Sequence, residues 1–165
     1  MPVDFARDRR PVRGYAAGVT TAATATILLE FRLEIAPAPE RAFAALTEAE
    51  HLARWFCDEA ESQPAPGGRL VLRWNRPGSS PAPFEGRWLV FEAPSSCAYD
   101  GGHAGYPNGY AGRVGFEIAP GGHGTVVIAR HRLPNRLDYE PIAETYRASW
   151  PRALARLGKY LSPGG

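Results

Sequence analysis

The stretch PIAETYRASWPRALARLGKYL, residues 141–161, decides the fold of this chain. Its large apolar residues recur at spacings of three and four, which is the pattern of a helix with one buried face. These residues are Ile142, Tyr146, Trp150, Ala153 or Leu154, Leu157 and Leu161. We expect Asp138 to be the N-cap of this helix. The rest of the chain must therefore supply a surface that covers a long apolar face.

Pro151 interrupts the helical pattern. A proline inside a helix removes one backbone hydrogen bond and costs about 3 kcal/mol or more. We therefore expect either a kink near Arg147 or a second helical segment that begins near Pro151, with Ser149 close to its cap.

Upstream of this helix, apolar and charged residues alternate in the manner of half-buried strands. The first and clearest stretch is ILLEFRLEIA, residues 27–36. The later stretches are RLVLRWN at 69–75, FEGRWLVFEA at 84–93, APSSCAYD at 93–100, GRVGFEIA at 112–119 and TVVIARHRL at 125–133. Residues 57–63 could form an edge strand, and the glycine-rich segment 101–112 is predicted to be a mobile loop. We expect about six antiparallel strands after the first one.

Between the first strand and the later strands, PERAFAALTEAEHLARWF, residues 39–56, has helical spacing. Thr47 and Glu50 resemble a capping box, which predicts that a second short helix starts near Thr47. The elements together predict an α+β fold in which a curved antiparallel sheet wraps around the C-terminal helix. The two short helices would close one end. We expect one domain over residues 23–165, preceded by an arm, residues 1–22, that is poorly ordered or docks on a partner as a helix.

Composition excludes several classes of function. The chain has 165 residues and a formal net charge of +2, which lacks the clustered basic surface of a nucleic-acid-binding protein. It has no run of 18 apolar residues, so we expect no membrane span. The apolar run that follows the first arginines is rich in threonine, which fits a strand better than an export signal. Cys57 and Cys97 belong to no CxxC pair, so we expect reduced thiols and a cytoplasmic location.

The strand and helix patterns turn a set of aromatic residues and one histidine toward the inside of the fold. We predict that these residues bind a small ligand: Trp55, Trp74, Phe84, Trp88, Tyr99, Phe116, His131, Tyr146 and Trp150, with Phe31 facing the same way. Any one of these side chains could belong to an ordinary core. Large side chains that face each other across a gripped helix often leave a space, and mainly apolar pockets are the usual sites for small molecules. Trp55 would close one end of that space.

His131 is the one candidate for acid–base chemistry, because its ordinary pKa lies near neutrality. It could equally be a hydrogen-bonded core histidine, and no carboxylate partner is evident. His51, His103 and His123 lack the spacing of metal ligands. The sequence also has no nucleophile elbow, phosphate-binding loop or dinucleotide fingerprint, so we expect no metal and no cofactor.

Five motifs in order resemble one family. They are APAPERAFAALTEAEHLARWF, PGGRLVLRW, FEGRWLVFEAP, HGTVVIARH and SWPRALARLGKYL, and they span residues 27 to 162 approximately. The order is similar to the helix-grip fold of the START/birch-pollen-allergen (SRPBCC) superfamily. The motifs resemble the subgroup named for the activator of heat-shock protein 90 ATPase. The resemblance implies a cavity between the sheet and the long helix. The glycine-rich segment 101–112 and Pro151 depart from the family's pattern. Both would affect the mouth and shape of the cavity, so the resemblance does not imply a ligand size.

Three functions remain open at this stage. The first is binding of a small hydrophobic or aromatic ligand without catalysis, and this is the reading that we favour. The second is an enzyme of the polyketide cyclase or hydrolase type, with His131 as acid or base and Tyr99, Tyr110 or Tyr146 orienting a carbonyl. The third is a module that stimulates a chaperone ATPase, which we rank last. A homodimer is compatible with the sequence, and nothing in it fixes one.

Overall fold

A computed structural model describes residues 26–75, 77–78 and 82–164. The arm predicted for residues 1–22 lies outside the described residues. The strands are β1 (Thr26–Ile35), β2 (Glu59–Ser62), β3 (Arg69–Arg73), β4 (Phe84–Glu92), β5 (Ser96–Gly102), β6 (Arg113–Gly121) and β7 (Gly124–Pro134). The helices are α1 (Pro39–Thr47), α2 (Ala49–Trp55) and α3 (Glu140–Leu161), with short 3-10 turns at Pro107–Gly109 and Leu137–Tyr139.

The seven strands form one curved antiparallel sheet in the order β1-β7-β6-β5-β4-β3-β2. Helix α3 packs on its inner face, where Trp150, Leu154, Leu157 and Leu161 of the predicted stripe are buried. The helix-grip α+β fold that the patterning predicted is therefore confirmed, including the short edge strand β2. Within the described ranges, no helix has the length and apolar character needed to cross a membrane.

The register of the central strands places His131 on the inner face. His131 of β7 pairs with Leu29 of β1 on one side and with Val114 of β6 on the other. Side chains that are paired across neighbouring strands point to the same face of a sheet. All three residues are buried, so the imidazole is held between two apolar neighbours and faces α3.

The predicted helix caps are wrong in two places. Helix α2 begins at Ala49 with Glu48 as its N-cap, and no side chain caps it. The Thr47 hydroxyl instead donates to the Phe43 carbonyl, 2.8 Å away, because Thr47 is still the last residue of α1. At α3 the N-cap is Tyr139, while Asp138 forms an ion pair with Arg136.

Helix α3 continues through Pro151 as a single helix, so the predicted second segment near Pro151 is wrong. Proline has no N–H, so the Arg147 carbonyl loses its helical partner. Arg147, Ala148 and Pro151 are all exposed, and water can therefore solvate the released carbonyl. The buried face on the opposite side of the helix holds both halves against the sheet.

Candidate functional site

A cavity of about 420 Å³ lies between α3 and the inner face of the sheet. Its volume is within the range of about 300–1,000 Å³ that is usual for small-molecule sites. The lining residues are Phe56, Leu72, Trp74, Phe84, Tyr99, Ala111, Gly112, Val114, His131, Tyr146, Ser149, Trp150, Arg152, Ala153 and Arg156. The walls are mainly aromatic, and the polar residues are concentrated along α3.

The predicted ligand-binding residues divide into two groups. Six of them border the cavity: Trp74, Phe84, Tyr99, His131, Tyr146 and Trp150. Trp55, Trp88 and Phe116 instead lie together in the packed core beside it, around a void of only about 10 Å³. The periodicities of the strands and helices direct the side chains of both groups inward. The position of α3 along the sheet then decides which of these side chains border the open space. Phe31 is half-buried and packs against the core.

Phe56, which follows α2 directly, occupies the place expected for Trp55. Its ring stacks on Trp150 at a centroid distance of 5.9 Å and meets Trp74 edge-on at 5.5 Å. The Trp55 indole turns the other way and donates its N–H to the Ala45 carbonyl at 2.8 Å. Phe56 thus closes this end of the cavity, while Trp55 ties α2 to α1.

His131 uses both of its ring nitrogens within the protein. The Trp150 indole N–H donates to Nδ1 at 3.0 Å, and Nε2 lies 2.7 Å from the Ala111 carbonyl oxygen. An indole can only donate and a carbonyl can only accept, so Nδ1 carries the lone pair and Nε2 carries the proton. The residue is 3% exposed, and burial lowers its pKa to about 4. The imidazole is therefore neutral near pH 7 and has no nitrogen left for a ligand.

Tyrosines tie the glycine-rich segment to α3 and to the 3-10 turn that precedes it. Strand β5 extends to Gly102, two residues into the predicted loop. The Tyr139 hydroxyl lies 2.8 Å from the Tyr110 carbonyl and 3.1 Å from the Pro107 carbonyl. Further along the segment, the Tyr106 hydroxyl lies 2.6 Å from the Tyr146 hydroxyl. These contacts hold the segment over one end of the cavity.

The three tyrosines considered for orienting a carbonyl lie in different settings. Tyr146 borders the cavity, but its hydroxyl is paired with Tyr106, and burial raises its pKa. Tyr110 does not border the cavity, and burial raises its pKa as well. Tyr99 borders the cavity and is 6% exposed, and burial raises its pKa too.

The Tyr99 hydroxyl makes no hydrogen bond within the described part of the chain. Every fully buried polar side-chain atom there has a partner. An unpartnered hydroxyl must therefore reach open space, and the large open space beside Tyr99 is the cavity. Because its pKa is raised, the phenol stays protonated and can donate to a bound molecule.

Polar side chains of α3 border the cavity where sequence reasoning expected none. They are the half-buried Ser149 and Arg156 and the exposed Arg152. Arg156 Nε donates to the Trp55 carbonyl at 3.1 Å, and Arg152 Nε donates to the Ala148 carbonyl at 3.2 Å. Ser149, Arg152 and Arg156 follow one another at spacings of three and four, so they form a row along the edge of the apolar stripe, and this spacing is the signal in the sequence that points to them.

Among the described residues, no group of three or more histidine, cysteine, aspartate or glutamate side chains is arranged to hold a metal ion. Within the described ranges, the cavity lining also contains no aspartate or glutamate. What the lining offers a bound molecule is aromatic surface, hydroxyl groups and guanidinium groups.

Comparisons with known proteins bear on the fold and the family. The sequence matches the family model described as Activator of Hsp90 ATPase homolog 1-like protein over residues 36–162. A crystal structure of a protein from Mesorhizobium loti has 20% identity and a TM-score of 0.71, and the match covers 82% of this chain and 96% of that one. The solution structure of the Aha1 dimer from Colwellia psychrerythraea has 16% identity and a TM-score of 0.70, and the match covers 84% of this chain and 98% of that one.

A third similar structure is CalU16 from Micromonospora echinospora, with 22% identity and a TM-score of 0.63 over 84% of this chain and 77% of that one. At these identities the structures show the fold alone. No curated protein matches the sequence.

Proposed function

The chain belongs to the family of Activator of Hsp90 ATPase homolog 1-like proteins, and from that premise we propose that it binds a small, mainly aromatic ligand without catalysing a reaction. The observation that carries this proposal is the aromatic cavity of about 420 Å³ between α3 and the sheet. Leaving a space of this size empty forgoes packing contacts that a dense protein interior would otherwise make. A ligand with apolar surface would regain them.

The ring arrangement supports an aromatic ligand. On one side of the cavity, Phe56 stacks on Trp150 and meets Trp74 edge-on. On the other side, Phe84 meets Tyr99 edge-on at a centroid distance of 5.6 Å. Aromatic pairs in such arrangements contribute about 0.5–1.5 kcal/mol beyond the burial of their area. A flat ligand placed between these walls could form the same contacts.

The cyclase or hydrolase alternative rests on His131, and the geometry does not favour it. An acid or base must reach a reacting proton directly or through one water. Both nitrogens of His131 are already hydrogen-bonded, to Trp150 and to Ala111, and none of the carboxylates that the structure describes borders the cavity to assist it. No contact in the described residues favours the chaperone-stimulating alternative, which rests on the family's name.

A neutral fluorescent probe tests the proposal. N-phenyl-1-naphthylamine emits strongly only in apolar surroundings, and we expect one saturable site per chain. Ala153 of α3 is buried and borders the cavity, so Ala153→Phe should fill the space and weaken binding by at least about tenfold. Ala155 is exposed on the same helix, and Ala155→Phe should leave the affinity unchanged.

Two results would overturn the proposal: no saturable binding, or equal affinities in the two phenylalanine variants. Circular dichroism and thermal melts would establish that both variants fold. Because one structural relative is a dimer, light scattering should accompany the titration to give the number of chains per bound probe.

A further inference from the structure

We propose that the ligand is an aromatic organic acid whose anionic group lies beside Arg152 and whose ring system carries an oxygen that accepts a hydrogen bond from Tyr99. This inference rests on the proposed function and narrows the ligand class of the same cavity. Three features carry it: the charge of the lining, the availability of Arg152 for an anion and the unused hydrogen bond of the Tyr99 hydroxyl.

The charge of the lining has one sign. Arg152 and Arg156 border the cavity, and no acidic residue does so in the part of the chain that the structure describes. A guanidinium group beside a low-dielectric aromatic wall attracts an anion more strongly than it would in bulk water. Its planar fork matches the two oxygens of a carboxylate. A cationic ligand would be repelled from the same place.

Arg152 is available for this contact. Its Nε donates to the Ala148 carbonyl, and it forms none of the ion pairs found among the described residues. Arg147 of the same helix is different, because it is paired with Glu144. Arg156 is anchored through the Trp55 carbonyl, so its charge is fixed in position near the cavity.

The remaining polar groups at the cavity point to an acceptor on the ligand. The indoles of Trp74 and Trp150 already donate to the Phe56 carbonyl and to His131, and His131 is fully used. The Tyr99 hydroxyl makes no hydrogen bond to the described residues and opens on the cavity. A ligand that fills the cavity shields this hydroxyl from water, so an oxygen on the ligand must accept its hydrogen bond if the donor is not to be left without a partner.

A matched pair of probes separates charge from apolar binding. 1-Anilinonaphthalene-8-sulfonate carries an anionic group on the same ring system as the neutral N-phenyl-1-naphthylamine. We expect Arg152→Gln to weaken the sulfonate probe by about tenfold and the neutral probe by less than twofold. Arg147→Gln should change neither affinity. Ala153→Phe should weaken both probes, which would show that both occupy the cavity.

The Tyr99 contact is tested by competition. 6-Hydroxy-2-naphthoate should displace the sulfonate probe several-fold better than 2-naphthoate, and this advantage should disappear in Tyr99→Phe. Suppose that the neutral probe binds but Arg152→Gln and Arg147→Gln have equal effects on the sulfonate probe. The inference of an anionic group beside Arg152 would then be overturned, and the proposed function would stand. If the advantage of the hydroxyl group persists in Tyr99→Phe, the role of Tyr99 is overturned. Failure of both probes to bind would overturn the proposed function itself.

Discussion

Trp150 and His131 are joined by a hydrogen bond of 3.0 Å from the indole N–H to Nδ1 of the imidazole. Because an indole nitrogen cannot accept, this bond fixes the tautomer of the histidine. The proton then lies on Nε2, where it is donated to the Ala111 carbonyl at 2.7 Å. One neutral imidazole thus links β7 to α3 and to the end of the glycine-rich segment.

This link predicts how stability depends on pH. Burial lowers the pKa of His131 from 6.5 to about 4, so the unfolded chain binds its proton more readily than the folded chain. The free energy of unfolding should therefore hold its full value above about pH 6.5 and fall as the pH drops toward 4, by at most about 3 kcal/mol. Urea denaturation across this range measures the fall. His131→Gln should lose this part of the pH dependence, and equal slopes in the two proteins would contradict the assignment.

Trp150→Phe should destabilise the fold by about 2–4 kcal/mol, because it leaves the Nδ1 lone pair buried without a donor and also removes packed volume. Trp74→Phe is the matched control. Trp74 also donates to a partner, the Phe56 carbonyl, but it is only half-buried, so water can replace the lost bond. Trp74→Phe should therefore lower the free energy of unfolding by only about 1 kcal/mol. Denaturant midpoints at pH 7 compare the two variants. An equal loss of stability would show that the hydrogen bond from Trp150 to His131 contributes no more than the bond from Trp74 to Phe56.

Tyr99→Phe and Tyr139→Phe remove the same atom from two different surroundings. The Tyr99 hydroxyl has no partner in the described residues, so its loss should leave the stability of the ligand-free protein unchanged or slightly higher. The Tyr139 hydroxyl holds the carbonyls of Pro107 and Tyr110, and Tyr139 is 1% exposed. Its loss should cost about 1 kcal/mol or more.

Hydrogen exchange provides a second measurement for this pair. Amides of residues 103–112 should exchange faster in Tyr139→Phe and at the wild-type rate in Tyr99→Phe. Unchanged exchange in Tyr139→Phe would show that other contacts hold the segment.

Gly112→Ala should destabilise the protein by about 1–3 kcal/mol or more. Gly112 has a φ of +92°, and a Cβ there would lie 2.4 Å from the Arg132 carbonyl oxygen and 3.0 Å from His131 Nε2. Gly122, in the turn between β6 and β7, has no atom within 4 Å of a built Cβ, so Gly122→Ala should be nearly neutral. Thermal melts of the two variants test the difference. A small effect at Gly112 would mean that the segment can shift away from His131.

The fold was predictable because its signals are local. The alternation in ILLEFRLEIA and the stripe along residues 142–161 each follow from the geometry of a single element. The same alternation put His131 on the inner face together with Val127 and Ala129, and all three are buried. Five motifs in order were enough to identify the family.

The outline of the site was harder to predict, because it depends on how elements dock. Trp55 and Phe56 are adjacent aromatic residues at the end of a short helix, and only the docking of α2 decides that Phe56 meets the cavity. Tyr106 lies in a glycine-rich segment without periodicity, so no pattern pointed to its bond with Tyr146. Arg152 is exposed, and only the position of α3 over the sheet brings it to the border of the cavity.

The four tryptophans divide evenly between the cavity and the core, and this gives the protein an optical signal of its own. Trp74 and Trp150 border the open space, whereas Trp55 and Trp88 are buried beside it and donate to the Ala45 carbonyl and the Ser62 hydroxyl. A molecule entering the cavity changes the surroundings of the first pair and leaves the second pair as an internal reference. Intrinsic emission can therefore detect natural ligands in fractionated extracts without any added dye.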